Sequence, residues 1–270
     1  MTDFPKQILF VGCGNMAGAM LRGWIADGLD PARVTIVDPG ARNLPDGVDH
    51  RPEMSADIPA PDLVLLGIKP QMLADIAPSL TKVDMSKAIL LSILAGVECR
   101  ALRKAVPGVA TVVRVMPNMA VSIAKSVLAL YSEEADDPQR EKLTGFFSAL
   151  GLVEWLPEEQ QMHAFTALAG SGPAYVFRFI DALGEGARAL GMDADQANRF
   201  ALAMVEGAAM LAAGADDTPG ELADKVASPG GTTRAGLNVL DEDKAIFVLA
   251  ERTLAAAASR SREMAKELDV

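Results

Sequence analysis

The sequence predicts an α/β fold over residues 1–157, followed by an all-helical region over residues 158–270. As far as Pro157, short apolar runs alternate with helical patterns. Such continuous runs of Val, Ile and Leu are typical of a parallel sheet covered on both faces. After Pro157 the strand pattern stops, and helices rich in Ala, Gly and Met follow, separated by glycine- and proline-containing breaks.

The individual elements follow from these patterns. Seven strands are predicted at residues 8–11, 34–37, 63–68, 88–93, 111–115, 127–131 and 153–156. In the helical region, Thr218-Pro219-Gly220-Glu221 has the spacing of a capping box with proline at the first helical position. We therefore expect helices over 218–227 and 234–240. A further helix over 201–213 is apolar on nearly every face, which predicts an intertwined homodimer; a central core helix in a monomer is the alternative.

Bulk properties narrow the class of partner. The chain has 270 residues, half of them hydrophobic, and a formal net charge of −11. This acidity argues against nucleic acid and against an anionic membrane, so we expect small molecules or further copies of the chain as partners. Cys13 and Cys99 are too few for a disulfide framework and are interpreted as reduced thiols of a cytoplasmic protein. Neither a targeting segment nor a membrane-spanning segment is recognisable in the sequence.

A glycine-rich turn follows the first predicted strand. Gly12 permits a tight turn, Gly14 allows close approach of a pyrophosphate, and Ala17 lets the following helix pack near the strand. This is the spacing of a Rossmann dinucleotide fingerprint, and the alternative is an ordinary strand–helix turn. The predicted cofactor-binding residues of this turn are Val11, Gly12, Cys13, Gly14, Asn15, Met16 and Ala17.

Asp38 ends the second strand at about the interval at which a carboxylate accepts hydrogen bonds from the adenosine ribose. That position favours NAD over NADP because a carboxylate repels a 2′-phosphate. Arg42 acts in the opposite direction, since its guanidinium could hold such a phosphate. A plain turn aspartate before Pro39-Gly40 is the alternative interpretation of Asp38.

Two further segments end strands at the expected cofactor edge. The first supplies Gly67, Ile68, Lys69 and Pro70, of which Lys69 could meet a ribose or phosphate or be a solvated surface lysine. The second supplies Asn118, whose amide could meet nicotinamide or substrate or end the strand in a simple turn.

A second anion site is predicted in the helical region. Its candidate substrate-binding residues are Ser228, Gly230, Gly231, Thr232 and Thr233. Glycines and hydroxyls at a helix start expose backbone N–H groups to a small carboxylate, although an ordinary N-cap is the alternative. Thr233 is the candidate catalytic residue, with its hydroxyl directed to a substrate nitrogen. Neither His50 nor His163 lies in a catalytic setting, and no metal site is expected; a substrate that arrives as a protonated iminium would need no such base.

Together these segments resemble the pyrroline-5-carboxylate reductase family. The motifs that carry the resemblance are residues 12–18, 68–71, 114–118, 169–175 and 221–237. The resemblance implies hydride transfer from NAD(P)H to 1-pyrroline-5-carboxylate, giving proline. It also implies that Ile93, Leu94 and Ala95 lie by the nicotinamide, that Thr233 donates to the pyrroline nitrogen, and that helical domains interlock into dimers, which assemble into rings, commonly decamers. The family usually prefers NADPH, whereas Asp38 favours NADH, so the preference stays open here.

Two other functions remain open at this point. A β-hydroxyacid dehydrogenase or another imine reductase shares the general plan, but the former would want a lysine in the helix after Gly172, and residues 175–190 contain none. A nucleotide-sensing protein without turnover is the third possibility. In the domain scheme that we predict, residues 1–157 bind the dinucleotide, and residues 158–270 bind the substrate and form the dimer.

Overall fold

The computed structural model describes residues 4–268. Its central feature is a single eight-stranded sheet with the strand order β3-β2-β1-β4-β5-β6-β7-β8. The strands are β1 (Ile8–Val11), β2 (Val34–Val37), β3 (Asp49–Arg51), β4 (Leu63–Leu66), β5 (Ile89–Ser92), β6 (Thr111–Met116), β7 (Ser126–Tyr131) and β8 (Gly151–Trp155). The first six strands are parallel and follow the order of a doubly wound dinucleotide-binding fold.

Both faces of the sheet are covered, which explains the continuous apolar runs in the sequence. All four residues of β1, β2, β4 and β5 are buried. Alternate side chains enter two separate core clusters, so that Leu9 and Val11 lie in one and Ile8 and Phe10 in the other. The helices of this part are α1 (Asn15–Ala26), α2 (Leu73–Leu80), α3 (Cys99–Ala105), α4 (Asp137–Ser148) and α5 (Gln161–Phe165).

The expectation of a parallel sheet is wrong at β7, which runs antiparallel to β6. Parallel neighbours need a crossover of a dozen or more residues, and the connection between these strands holds only a short 3₁₀ turn, Met119–Ile123. Ala124 adopts the left-handed conformation directly after that turn and helps the chain to reverse. β8 then pairs parallel to β7.

Strand β3 was not predicted. Asp49, His50 and Arg51 pair with β2 at the edge of the sheet, and none of the three is buried. An exposed polar edge strand has no hydrophobic pattern by which it could be recognised.

Beyond β8 the described chain is helical, as predicted. A single π-helical turn, Thr166–Gly170, follows α5, and a 3₁₀ turn, Glu242–Lys244, precedes the last helix. The remaining helices are α6 (Gly172–Ala189), α7 (Ala194–Ala213), α8 (Pro219–Lys225), α9 (Thr232–Asp241) and α10 (Ala245–Leu268). Thr218 caps α8 in the predicted capping box, and α9 begins two residues earlier than expected.

The chain forms two compact units. The first comprises the residues up to Gly170 together with the end of α10 from Ala257, and the second comprises Ser171–Ala256. The boundary between the two units therefore follows the π-helical turn. The predicted functional boundary at Pro157 lies earlier in the chain, before α5. No helix among residues 4–268 has the length and apolarity needed to cross a membrane.

Candidate functional site

The glycine-rich turn lies where β1 meets β4, the point at which the strand order reverses. Gly12 has a φ of +84°, which L side chains rarely adopt. A Cβ atom there would also lie 2.7 Å from Ile68 Cγ2 and 2.9 Å from the carbonyl carbon of Gly67. The chain after β1 is therefore fixed in a tight turn against the chain after β4, as the fingerprint requires.

Gly67, directly after β4, makes the corresponding close contact from the other side of the turn. A Cβ atom at Gly67 would lie 2.7 Å from the Gly12 carbonyl oxygen and 2.8 Å from Ala17 Cβ. Small residues at all three positions let the two strand ends and α1 approach one another. The spacing of Gly12 and Ala17 in the sequence thus has a direct counterpart in packing.

Gly14 differs from these two because nothing restricts it within the protein. It precedes α1 with φ −69° and ψ −169°, and a Cβ atom would have no heavy atom within 4 Å. No side chain caps the start of α1. The first amides of the helix therefore face open space beside a backbone without side-chain cover, which is the geometry that accepts a pyrophosphate.

A cavity of about 430 Å³ adjoins this turn; we call it the adenosine cavity. Its wall includes apolar side chains from β1, β2 and α2, with Lys69 and Asp38 among its polar members. The predicted residues Val11, Gly12, Gly14, Asp38, Gly67, Ile68 and Lys69 all line it. Cys13, Asn15 and Asp38 line a neighbouring cavity. The residues present thus fit a dinucleotide at this edge of the sheet.

Asp38 is held by two main-chain donors. Its Oδ2 accepts the N–H of Cys13 at 2.8 Å, and its Oδ1 accepts the N–H of Gly40 at 2.8 Å. The bond from Gly40 closes the aspartate turn that was the alternative interpretation of Asp38. The bond from Cys13 joins the carboxylate to the glycine-rich turn. Each oxygen keeps a further lone pair, so that both structural bonds are compatible with ribose hydroxyl donors.

The Cys13 thiol is protonated at neutral pH. Burial, together with the nearby Asp38 carboxylate, raises its pKa to about 11, and the Arg22 guanidinium opposes this rise. A neutral thiol in this position does not repel an anionic cofactor.

The other predicted cofactor-binding residues, Ile93–Ala95 and Asn118, follow β5 and β6 and are partly buried in the protein. Leu94 is buried in the core with its N–H donated to Ser92 Oγ, whereas Ile93 is half-buried and Ala95 exposed. The Asn118 amide is also buried: Oδ1 accepts the Ala120 N–H, and Nδ2 donates to the Ala169 carbonyl oxygen. Asn118 therefore fixes the reversal after β6, and one N–H of Nδ2 remains for other contacts.

A buried ion pair that sequence reasoning missed lies beside this edge. Arg114 on β6 donates from Nη1 to Glu159 Oε1 at 2.8 Å, with exposed side-chain fractions of only 5% and 11%. The same oxygen accepts the Cys99 N–H at 2.7 Å, at the start of α3. One carboxylate thus joins β6, α3 and the turn before α5. An arginine inside an otherwise apolar strand was the only available signal.

Both histidines occupy structural positions. His50 Nε2 lies 2.8 Å from the main-chain oxygen of Asp38. His163 is buried with Nδ1 2.9 Å from Ser261 Oγ, on the part of α10 that belongs to the same unit. Burial lowers the pKa of His163, and the nearby Arg114 and Arg262 charges lower it further. His163 is therefore neutral at physiological pH.

In the second unit, the predicted anion site is the start of α9. The Gly231 N–H is engaged with the Ser228 carbonyl oxygen at 3.0 Å, and a Cβ atom at Gly231 would lie 2.5 Å from Ser228 Oγ. No side chain caps the helix. The available donors are therefore the amides of Thr232, Thr233 and Arg234, whereas the N–H of the candidate residue Gly231 is already engaged.

The second unit has little buried surface of its own. α6 packs on α7 where Gly184 meets Asn198, yet α7 buries only Ala197 and Ala201. Large apolar side chains on α6, α7 and α10 are exposed: Val176, Phe177, Phe179, Phe200, Leu202, Met204, Met210, Leu211, Phe247, Val248 and Leu249. This is far more exposed apolar surface than a small helical unit normally carries.

Comparisons with known proteins match two family models to separate segments of the chain. Residues 159–264 match the family model described as pyrroline-5-carboxylate reductase dimerisation, and residues 7–96 match that of NADP oxidoreductase, coenzyme F420-dependent. The pyrroline-5-carboxylate reductase of Pseudomonas aeruginosa is 33% identical over 97% of this chain and 98% of its own. The structure of a pyrroline-5-carboxylate reductase from Coxiella burnetii is 30% identical, with a TM-score of 0.85 over 96% of this chain and 98% of that one. The Plasmodium falciparum pyrroline carboxylate reductase with NADP bound shares the fold, with a TM-score of 0.81 at 22% identity and coverage of 97% and 98%.

Proposed function

The chain belongs to the pyrroline-5-carboxylate reductase family, and we propose that it reduces 1-pyrroline-5-carboxylate to L-proline with a hydride from NAD(P)H, the last step of proline biosynthesis. One structural observation carries the proposal. The helices α1 and α9 each have a glycine, Gly14 or Gly231, at the N-cap position and no side-chain cap. The starts of α2, α3, α5 and α6 also lack a side-chain cap from their N-cap residue, but that residue is not glycine in any of them. The two glycine N-caps coincide with the segments predicted to bind cofactor and substrate.

The first unit holds the cofactor in this proposal. The amides at the start of α1 receive the pyrophosphate, Asp38 accepts from the adenosine ribose, and the adenosine cavity takes the base. When bound, the dihydronicotinamide supplies the hydride. The first unit contributes position and electrostatics to the reaction rather than a reactive side chain.

The second unit holds the substrate carboxylate at the start of α9. The N–H groups of Thr232 and Thr233 donate to the carboxylate oxygens, and the positive end of the helix dipole favours the same charge. The Thr233 hydroxyl donates to the lone pair that develops on the ring nitrogen as hydride reaches the neighbouring carbon.

The proposed substrate also accounts for the state of the histidines. Both rings are engaged in hydrogen bonds within the first unit, and His163 has a lowered pKa. A cyclic imine that binds in its protonated form already carries the positive charge that activates its carbon. The reaction then requires orientation and a hydrogen bond rather than a histidine acid.

We further propose that the second unit forms a homodimer and that dimers assemble into a larger ring, commonly a decamer in this family. A second copy of the chain would cover the exposed apolar faces of α6, α7 and α10. The family model that matches this region is described as one of dimerisation, which supports the same assembly. The free cysteines are compatible with the cytoplasmic location that we propose. Light scattering coupled to size exclusion tests the assembly: a monomer of 28.4 kDa at micromolar concentration would contradict it.

The activity is tested by following absorbance at 340 nm when 1-pyrroline-5-carboxylate is added to the protein and NADPH or NADH. The proposal predicts oxidation that depends on both protein and substrate, with proline as the product. Cofactor binding without oxidation would instead identify a nucleotide-sensing protein. Oxidation of a β-hydroxyacid, with no reduction of the imine, would identify the alternative dehydrogenase.

A further inference from the structure

The loop that joins β5 to α3, residues 93–98, lies beside the glycine-rich turn. Strands β1, β4 and β5 are parallel neighbours, so this loop leaves the same edge of the sheet. Its first residue is tied to the next strand end, because the Ile93 N–H donates to the Leu66 carbonyl oxygen at 3.2 Å. In the proposed binding mode the adenosine lies on the β2 side of β1, at Asp38. The nicotinamide half of the cofactor then extends to the opposite side, over the ends of β4 and β5.

The far end of this loop is held by a carboxylate from a distant part of the chain. The N–H of Cys99, the first residue of α3, donates to Glu159 Oε1 at 2.7 Å. Because the N-cap residue Glu98 makes no side-chain capping bond, Glu159 takes the place of a cap for α3. The start of the loop is held locally instead, by the bond from the Leu94 N–H to Ser92 Oγ at 3.3 Å. The position of the loop's end therefore depends on where Glu159 is fixed.

Glu159 is itself fixed by the sheet, through Arg114. The oxygen that accepts the Cys99 N–H also accepts Arg114 Nη1, and both side chains of this ion pair are almost fully buried. Arg114 lies in β6, which pairs with β5 on one side and β7 on the other. Separating a buried carboxylate from its buried counter-charge is costly, so Glu159 has little freedom to move.

From these contacts we propose that Glu159 is a positioning residue for hydride transfer. It acts through loop 93–98, which it holds in place under the nicotinamide, and it does not touch the reacting atoms. The inference rests on the proposed function, because it concerns the cofactor of the same reaction. A misplacement of the reacting groups by about 1 Å can lower a rate about a hundredfold. A loop held at one end only should therefore lower the rate of hydride transfer more than the affinity for the cofactor.

The test removes the one hydrogen bond between the end of the loop and Glu159. Cys99→Pro deletes the N–H donor at the first helical position, where proline is well tolerated. Glu98 already has the extended backbone that a residue before proline requires, with φ −80° and ψ 159°. Glu159 and Arg114 keep their ion pair in this variant.

Cys99→Ala is the matched control, because it loses the same thiol and keeps the N–H. Burial, together with the nearby Glu159 carboxylate, raises the pKa of the Cys99 thiol, which is therefore uncharged at neutral pH. Neither variant changes the net charge, so a difference between them reports the hydrogen bond to Glu159.

Binding to the purified full chain is measured by calorimetry with NADPH and with 2′-phospho-ADP-ribose, which lacks the nicotinamide. We expect the wild type and Cys99→Ala to bind NADPH more tightly than the fragment, and by the same ratio. Cys99→Pro should reduce that ratio about fivefold, the factor of one hydrogen bond, with the affinity for the fragment unchanged.

Hydride transfer is measured by stopped flow, with the protein–NADPH complex mixed with excess 1-pyrroline-5-carboxylate. The rate constant of the fast phase should be about 10- to 100-fold lower in Cys99→Pro than in Cys99→Ala. A merely structural role would lower the amplitude of that phase, which counts competent complexes, and leave its rate constant unchanged. Glu159→Asp provides a second variant: it keeps the charge but is one methylene shorter, and it should lower the same rate constant.

Equal rate constants of Cys99→Pro and Cys99→Ala would overturn the proposal, as would a Glu159→Asp protein as fast as the wild type. An equal loss of affinity for NADPH and the fragment in Cys99→Pro would also overturn it. If the wild type reduces the imine and these variants match it, only the role of Glu159 is refuted. If Cys99→Pro lowers the ratio of affinities but the wild type does not oxidise NADPH, the reductase function is refuted and the positioning of the loop is retained.

Discussion

Substitution of Gly14 separates the cofactor-binding role of the glycine-rich turn from its role in folding. Its backbone angles, φ −69° and ψ −169°, are available to alanine, and a Cβ atom would meet no protein atom within 4 Å. Gly14→Ala should therefore change the free energy of unfolding by less than about 1 kcal/mol, because the lower entropy of the unfolded chain offsets the preference for glycine over alanine at the N-cap of α1.

The same methyl group should weaken cofactor binding, because it occupies the open space at the start of α1 that we assign to the pyrophosphate. Crowding a close contact by one methyl group costs about 1–3 kcal/mol, which corresponds to a roughly 5- to 150-fold higher Kd. The assay is NADPH fluorescence on binding, combined with urea unfolding of the same preparation. Unchanged affinity in Gly14→Ala would refute the assignment of this turn to the cofactor.

Gly67→Ala is the matched comparison, with the opposite expectation for stability. Its Cβ atom would lie 2.7 Å from the Gly12 carbonyl oxygen and 2.8 Å from Ala17 Cβ, both fixed parts of the strand ends. We expect a loss of about 1–3 kcal/mol in the free energy of unfolding from overpacking. A Gly67→Ala protein as stable as the wild type would show that the two strand ends are not in the contact described.

Three further changes test other parts of the account. Thr233→Val should lower kcat about tenfold to a thousandfold with cofactor affinity unchanged, because one hydrogen bond to the reacting nitrogen is lost. Thr81→Val, at an exposed threonine directly after α2, should have no effect, and equal kinetics of both variants would exclude Thr233. The lowered pKa of His163 means that the native state resists its protonation, so wild-type stability should decrease as pH falls below about 6.5, the unfolded value. His163→Asn should show a smaller decrease between pH 7.5 and 5.5 in urea unfolding, and identical pH profiles would contradict the shift. Glu159→Gln should lower the free energy of unfolding by about 3–5 kcal/mol, because Arg114 is left buried without a counter-charge. A change below about 1 kcal/mol would show that the pair is not buried as described.

The sequence allowed prediction of those features that depend on local patterns. The glycine-rich turn could be located because strand, turn and helix follow one another directly, and contacts within the protein explain Gly12 and Ala17, whereas Gly14 has none. The capping box at Thr218 was equally local, and the structure contains both of its hydrogen bonds. The direction of β7 was also accessible in principle, since the connection after β6 is too short for a crossover.

The features that escaped prediction depend on contacts between distant segments or on exposed polar residues. Glu159 meets Arg114 and Cys99 across intervals of 45 and 60 residues, and no local pattern identifies such partners. β3 has no apolar side chain to mark it. At α9 the helix start was recognised, but the bond from the Gly231 N–H to Ser228 depends on the conformation of the turn, which removes this N–H from the free donors.

The most direct test of the central claim is the fate of the transferred hydride. NADPH that carries deuterium at the transferred position of its nicotinamide C4 is incubated with the protein and 1-pyrroline-5-carboxylate, and the product is examined by NMR and mass spectrometry. The account predicts one deuterium at C5 of proline, the carbon of the former C=N bond, in an amount equal to the cofactor oxidised. Absence of proline, or proline without deuterium at C5, would contradict the assignment of this chain as a reductase that delivers hydride to a cyclic imine.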